Sequence, residues 1–313
     1  MIQMPMDVAN RFPVRKTRLQ KQAFRDAVLD YAARQGYPVT VEQGSFGCRN
    51  VVIGDPEGAG YLVTAHYDTP VWQPFPNFHM PCNLPVFLVQ QVGLRLAMIL
   101  FAAFIGAVSG VFLGEWAVAP VSLAVFFGIL LLMIAGPANR NNANDNTSGV
   151  VTLLEILRTM PENQRHKVCF VLFDLEERGL IGAASYRKAH RGATDAQMVL
   201  NLDCVGDGDH LLMFPTKALK NNRRKLTSLY KACGYFGKKS LLVHEKGFGF
   251  CPSDQLAFPY GVGICALNKT KHGLTVGKIH TAKDTVLEET NVNILRAALT
   301  TFISCDAVNL ERK

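Results

Sequence analysis

Two hydrophobic periods alternate along this chain. Between Thr17 and Gln35, apolar residues at Leu19, Phe24, Val28, Leu29 and Ala32 recur at helical spacing. Pro38–Val41 and Cys48–Ile53 read as strands with turn residues between and after them, and Tyr61–Ala65 is a short apolar run ending at His66. Lys167–Phe173 and Gln197–Leu202 are unbroken apolar runs, the pattern of strands buried on both faces of a parallel sheet. His210–Phe214, Leu241–Val243 and Val262–Ala266 are further strand candidates. Thr147–Leu157, with Thr147 or Ser148 as cap, Leu180–Ala189, Lys217–Ala232 and Val292–Leu310 follow helical patterns. Strands and helices at these spacings predict a three-layer α/β/α domain with a mixed, mainly parallel sheet. No internal repeat or low-complexity tract interrupts the pattern.

One stretch departs from it. Leu84–Gly136 is far more apolar than the rest, and neither Leu96–Leu113 nor Ala117–Gly136 holds a charged residue. Only Gly114-Glu115-Trp116 separates these runs, and each approaches the roughly 20 apolar residues that span a bilayer. The expectation is a transmembrane helical hairpin inserted in a discontinuous α/β domain: 1–83 and 137–313 the α/β domain, 84–136 the hairpin. Gly106, Gly110 and Gly128 would allow the two helices to approach closely. Arg95 and Arg140 flank the runs on the side of the α/β domain, so the excess of cationic residues places the tip outside and the α/β domain in the cytoplasm at the cell membrane. The alternative is a hairpin packed in a homodimer.

Composition narrows the function classes. Charged residues make up 19% of the 313, and mean hydropathy is +0.12, high for a cytosolic enzyme. The net charge of +8 comes with no interleaved aromatic and basic pattern and no nucleic-acid motif, so nucleic acid is not the expected partner. The basic residues concentrate in Arg11–Arg25 and Lys217–Lys239, which fits attraction to anionic lipid better. In the first of these, Arg15, Lys16, Arg18, Lys21 and Arg25 are expected on one exposed basic helix, which reads either as a solvated face or as a surface attracted to anionic lipid. Eight cysteines without a CxxC pair, several inside apolar runs, read as buried free thiols, and the first ten residues contain no secretory apolar region.

The candidate chemistry lies at strand ends, where α/β sheets build sites. His66 and Asp68 are spaced i, i+2 in YLVTAHYD, so His66 can bind a metal while Asp68 orients its imidazole. Asp145 stands where an asparagine-rich loop enters a helix. Glu176 and Glu177 follow the strand KVCFVLF, where two glutamates would repel unless a cation or proton came between them. Asp203 ends MVLNL, and His280 lies in KIHTAKDT. Each alone also fits a polar strand end, a cap or a solvated turn. Two histidines and three carboxylates together suit zinc, with cobalt or manganese as substitutes.

HYDT, NANDNTSGV, FDLEERGLIG, NLDCVGDGD and IHTAKDT, in this order, resemble the motif series of the di-zinc aminopeptidases, the family of aminopeptidase Y and the bacterial leucyl aminopeptidases. The resemblance runs from about Thr17 to the C-terminus, apart from the hydrophobic block. It implies a zinc-exopeptidase-like fold and two zinc ions. His66 and Asp203 would hold one ion, Glu177 and His280 the other, and Asp145 both. Glu176 would act as general base and then acid, Asp68 would hold His66, and the Asp145–Asn146 peptide would be cis. The implied function is removal of N-terminal residues from peptide or aminoacyl substrates. An amidase on N-acyl amino acids, a glutaminyl-cyclase-like acyltransferase and a non-catalytic membrane binding protein on the same fold are the alternatives. The chain departs from the family's Ser-Asp-His pattern at Ser253-Asp254-Gln255, where Ser253 reads as a helix cap. It also has Phe248 and Phe250 where some members place a tyrosine.

Overall fold

The computed structural model describes residues 1–74 and 77–305. Its strands are β1 (Val39–Gln43), β2 (Arg49–Ile53), β3 (Tyr61–His66), β4 (Phe78–His79), β5 (Val168–Phe173), β6 (Met198–Leu202), β7 (His210–Pro215), β8 (Gly234–Phe236), β9 (Lys239–Val243), β10 (Gly261–Thr270) and β11 (Gly273–Gly277). The main sheet runs β1-β2-β5-β3-β6-β10-β7-β9-β8, with β11 and β4 attached beside β10. Its centre, β5-β3-β6-β10, is parallel, and the pairings set six of the nine strands in one direction. Alternate residues of the central strands enter two different cores. Val51, Val63, Phe170 and Leu200 join one with helix α5 (Gly149–Thr159) and helix α10 (Glu289–Cys305). Val52, Leu62, Val171 and Val199 join the other with Tyr186 of helix α6 (Ile181–Ala189). This is period-2 alternation in a sheet covered on both faces, the α/β/α architecture that the sequence predicts.

Helix α1 (Asp7–Arg11) precedes helix α2 (Arg18–Arg34), which opens on a capping box: Thr17 accepts from the Gln20 backbone, and Gln20 reaches back to Thr17. The expected Lys217–Ala232 helix breaks into Lys217–Asn221, Arg223–Leu229 and a short turn, after Arg191–Thr194 earlier in the chain. Asn222 causes the break by capping the second piece, accepting from the Lys225 backbone N–H. Neither Thr147 nor Ser148 caps α5. Their hydroxyls donate to Asn142 Oδ1 and the Asn144 carbonyl instead. The last helix ends at Cys305, and 306–310 of the expected helix lie outside the described residues.

The hydrophobic block forms two helices packed on each other, α3 (Leu84–Leu113) and α4 (Val118–Ala135). Both are long and apolar enough to cross a membrane, and both leave nearly all of their surface open. A Cβ on Gly106 would strike Ser122 and the Val118 carbonyl, and one on Gly110 would strike Val118. Gly128, expected at the same contact, faces open space. The base of the pair is anchored to the sheet domain: Val71 bridges Ala138, and the Trp72 N–H donates to Pro137.

Candidate metal centre

The carboxyl ends of three neighbouring parallel strands supply the first side chains. His66 is the last residue of β3, Glu176 and Glu177 form the turn after β5, and Asp203 follows β6. The loop before α5 brings Asp145, and the loop after β11 brings His280. The five metal candidates singled out in the sequence, and Glu176 with them, line one cavity of about 220 Å³. His66 Nε2 lies 3.4 Å from Asp145 Oδ1 and 3.6 Å from Asp203 Oδ1, while His280 Nε2 lies 3.0 Å from Asp145 Oδ2 and 3.7 Å from Glu177. One carboxylate, Asp145, thus presents an oxygen to each of two ligand groups, His66–Asp145–Asp203 and Asp145–Glu177–His280. The Asp145–Asn146 peptide is cis.

Asp68 does not face the cavity. Its carboxylate accepts the backbone N–H groups of Glu176 and Glu177 at 3.1 and 3.3 Å and sits 3.6 Å from His66 Nδ1, whose nearer contact is the Asp68 carbonyl at 3.2 Å. It therefore holds the glutamate turn as well as the imidazole. The asparagine-rich loop is a hub for the ligand segments. Asn146 donates to the Leu202 carbonyl and accepts from the Cys204 N–H beside Asp203, and Asn144 accepts from Gly206 and Asp207. Leu175, Cys204 and His280 all have left-handed φ near +60°, a conformation that recurs where side chains are aimed at a site.

Four further residues complete the centre. Asp284 is buried and accepts the N–H groups of Asn144 and Asp145. Gln73 lies 3.3 Å from His280 Nδ1 and donates its own N–H to the His280 carbonyl. Arg15 is fully buried, donating to Tyr67 O, Phe12 O and the Thr147 hydroxyl. Its expected place on an exposed basic helix is therefore wrong: α2 starts after it, and Lys21 and Arg25 of that helix are buried as well. Asp254 is fully buried with no hydrogen-bond partner on either carboxylate oxygen among the described residues. Ser253, expected as a cap, instead accepts from Asn201 Nδ2, which also donates to Gln255.

So many buried carboxylates oppose one another. Burial, aided by Glu177, Asp254 and Asp203 and opposed by His66, raises the Glu176 pKa well above the usual carboxylate value. Burial raises Glu177 to about 8, and Asp254 also rises far above its usual value. Burial works against a charged His280, but Glu177 and Asp145 bring its pKa to about 9. Burial likewise opposes a charged His66, yet the charge of Glu176 and hydrogen bonds to Asp145, Asp203 and Asp68 raise it well above 6.5. Burial pulls the Arg15 guanidinium down to about 10 while Asp68 and Asp145 hold it up. Protons are thus crowded onto groups whose geometry suits cations, and divalent ions at those groups would displace them. Two imidazoles and several carboxylates form a nitrogen and oxygen donor set that fits zinc.

Peptidase family M28 matches residues 131–303, more than half of the chain. The chain belongs to that family. The M28 match covers Asp145, Glu176, Glu177, Asp203 and His280 and leaves His66 and Asp68 before it. No curated protein sequence matches this M28 chain. Solved structures share its fold. A Zn-dependent exopeptidase from Parabacteroides distasonis is 18% identical at a TM-score of 0.64, covering 96% of this chain and 97% of its own. A Porphyromonas gingivalis glutaminyl cyclase is 17% identical at 0.60, covering 96% and 95%. The LapA aminopeptidase of Legionella pneumophila is 13% identical at 0.58, covering 96% and 71%. The fold is therefore that of the zinc exopeptidases and their cyclase neighbours.

Proposed function

We propose that this chain is a membrane-tethered aminopeptidase working with two zinc ions. The observation that carries the reading is Asp145, whose two carboxylate oxygens point to two separate histidines. His66 and Asp203 would hold one ion, Glu177 and His280 the other, and Asp145 both. Bound ions would supply a nucleophile by acidifying a water and would polarise the scissile carbonyl. Glu176, its pKa lifted by burial, takes a proton at its carboxylate and returns it to the leaving amine. Asp68 keeps the Glu176–Glu177 turn and the His66 ring in place. The same cavity is also lined by Cys251, Cys265, Val276 and Ile279, which suits an uncharged N-terminal side chain. The segments 1–83 and 137–313 form the catalytic domain in this reading, and 84–136 the membrane hairpin.

A glutaminyl-cyclase-like activity is the second reading, favoured by the similar fold likeness to the Porphyromonas gingivalis enzyme. The test is a panel of aminoacyl, N-acylated and N-terminal-glutamine substrates offered to the purified full-length protein, alongside metal analysis. Release of N-terminal residues with two zinc per chain, abolished by chelator, is expected. Cyclisation of glutamine with one zinc overturns the reading in favour of the cyclase, and inactivity of the fully metallated protein across the panel overturns both.

A further inference from the structure

A second cavity, of about 500 Å³, shares the glutamate turn with the metal centre. Glu176 and Glu177 line the first cavity, and Leu175 and Arg178 of the same turn line the second. Six cationic side chains face this second cavity, Lys16, Arg18, Lys21, Arg25, Arg49 and Arg178, against a single carboxylate, Asp174. Asp174 is already engaged. Lys21 Nζ sits 2.5 Å from it, and it accepts the backbone N–H groups of Arg49 and Leu175 at 3.1 and 2.9 Å.

The other cations have no such partner. The side chains of Lys16, Arg18, Arg49 and Arg178 make no hydrogen bond or ion pair among the described residues. Arg25 is only 4% exposed, yet its guanidinium donates a single hydrogen bond, to the Tyr67 hydroxyl at 3.0 Å, and meets no carboxylate. A buried guanidinium without an anion is a costly arrangement unless something else supplies the charge. The crowding is felt at Lys16, where burial, with the charges of Arg178 and Lys21, outweighs Glu177 and Asp68 and brings its pKa below the usual lysine value.

We propose that this cavity binds a phosphate group. Guanidinium forks match a tetrahedral oxyanion bidentately, and several can share one such group. A carboxylate ligand would offset only one of these charges, whereas a phosphate monoester carries close to two near neutral pH and offers three oxygens to the guanidinium groups. Phe46, 88% exposed on the cavity rim with Gly47, gives an organic phosphate an apolar surface to lie against. A phosphate of this kind reaches the cavity either on a small soluble molecule or on a lipid headgroup.

Thermal melting of the full-length protein tests the site with one probe for each source. Glycerol 3-phosphate is titrated into protein in a neutral detergent, and phosphatidic acid is introduced as a minor component of phosphatidylcholine vesicles carrying the protein. A ligand at about a hundredfold excess over its Kd is expected to raise the Tm by several degrees. The Arg18→Gln/Arg49→Gln variant should weaken the effect at least roughly tenfold in probe concentration. The Lys217→Gln/Lys220→Gln variant removes the same charge elsewhere and should leave it intact. The shift should persist after chelator treatment, which separates this cavity from the metal centre. A response to glycerol 3-phosphate alone assigns a soluble phosphate, a response to phosphatidic acid alone assigns a lipid headgroup, and either of these, or a response to both, supports the site. No shift with either probe, a shift lost with the metal, or equal loss in both variants overturns it.

Discussion

Glu176 and Glu177 are neighbours in the chain, yet their surroundings divide their tasks. Glu177 lies 3.7 Å from His280 and joins Asp145 and His280 in one ligand group, whereas Glu176 lies beside His66 and Glu177, outside that group, its pKa raised well above the usual carboxylate value by burial. In the proposed mechanism Glu176→Gln keeps both metals and loses about 10²–10⁴-fold in turnover, the usual weight of a general base. Glu177→Gln instead loses metal from one position. Metal analysis beside kinetics separates them, and an active Glu176→Gln would require another base. Glu176 was legible because an acidic pair directly after a fully apolar strand is chemically conspicuous. Asp284 was not, because its partners are two backbone N–H groups some 140 positions away in the chain. Arg15 was misread for a related reason: basic residues on both sides of it suggest a solvated stripe, and only packing shows its burial. Asp284→Ala leaves the Asn144 and Asp145 N–H groups unpaired, which should cost about 1–3 kcal/mol of stability and weaken metal affinity. Denaturant melts and a zinc titration check this, and unchanged values in both would exclude Asp284 as the brace of that loop.

Elements that bury a whole period were read correctly, and those set by a local cap or a distant partner were not. The central strands β3, β5 and β6 are continuous apolar runs, and their observed ends lie within one residue of the expected ones. Strands β4 and β11 carry no alternation; β11 forms by pairing with the end of β10, and β4 by pairing with β11. Helix α3 begins at Leu84, where the expected hairpin begins, and Asn83 caps it there while Pro85 suits its first turn. Its contact with α4 can be tested by size. Gly106→Leu should destabilise the helix pair by roughly 1–3 kcal/mol through overpacking against Ser122 and Val118, while Gly128→Leu should be silent. Melts in detergent compare the two, and equal effects would contradict the packing described. A second contact between elements is sensitive to pH. His190, after α6, lies 2.6 Å from Glu57 and 2.9 Å from Glu42 on β1. Burial opposes its charge, but both glutamates raise its pKa above 6.5. Its contribution is therefore complete below pH 6.5 and fades as pH rises through the raised value. Solvent limits it to about 1 kcal/mol or less. The wild type should exceed His190→Gln in Tm at about pH 6 and lose that margin at alkaline pH; a margin that grows with pH would reverse the sign.

At the scale of the molecule, the proposed membrane hairpin sets how the chain would meet a bilayer. Helix α4 has 18 residues, roughly 27 Å at 1.5 Å each, close to the hydrocarbon thickness. Helix α3 has 30, but counting back from Leu113 an equal length ends near Arg95, an exposed cation suited to the headgroup level. The remainder, from Leu84 to Leu94, then stands between the bilayer and the catalytic domain. Phe87 in this stalk packs against Phe248 and Phe250, with ring centroids 5.9 and 5.7 Å apart. The same loop continues into Cys251 and Pro252, which line the metal-centre cavity. A membrane at Arg95 would therefore lie near the mouth of the active site, and hydrophobic or lipid-linked peptides would reach it along the surface. Full-length protein is expected in the membrane fraction, resistant to high salt, and a chain lacking 84–136 in the soluble one. With cysteine placed at Glu115, between the helices, an impermeant thiol reagent should label the tip only from the face opposite the catalytic domain, where Cys305 is exposed. Labelling of both positions from one face would mean that the helices lie along the surface or pack against another protein. A soluble full-length dimer protecting the same residues would assign the apolar faces to a second copy of the chain.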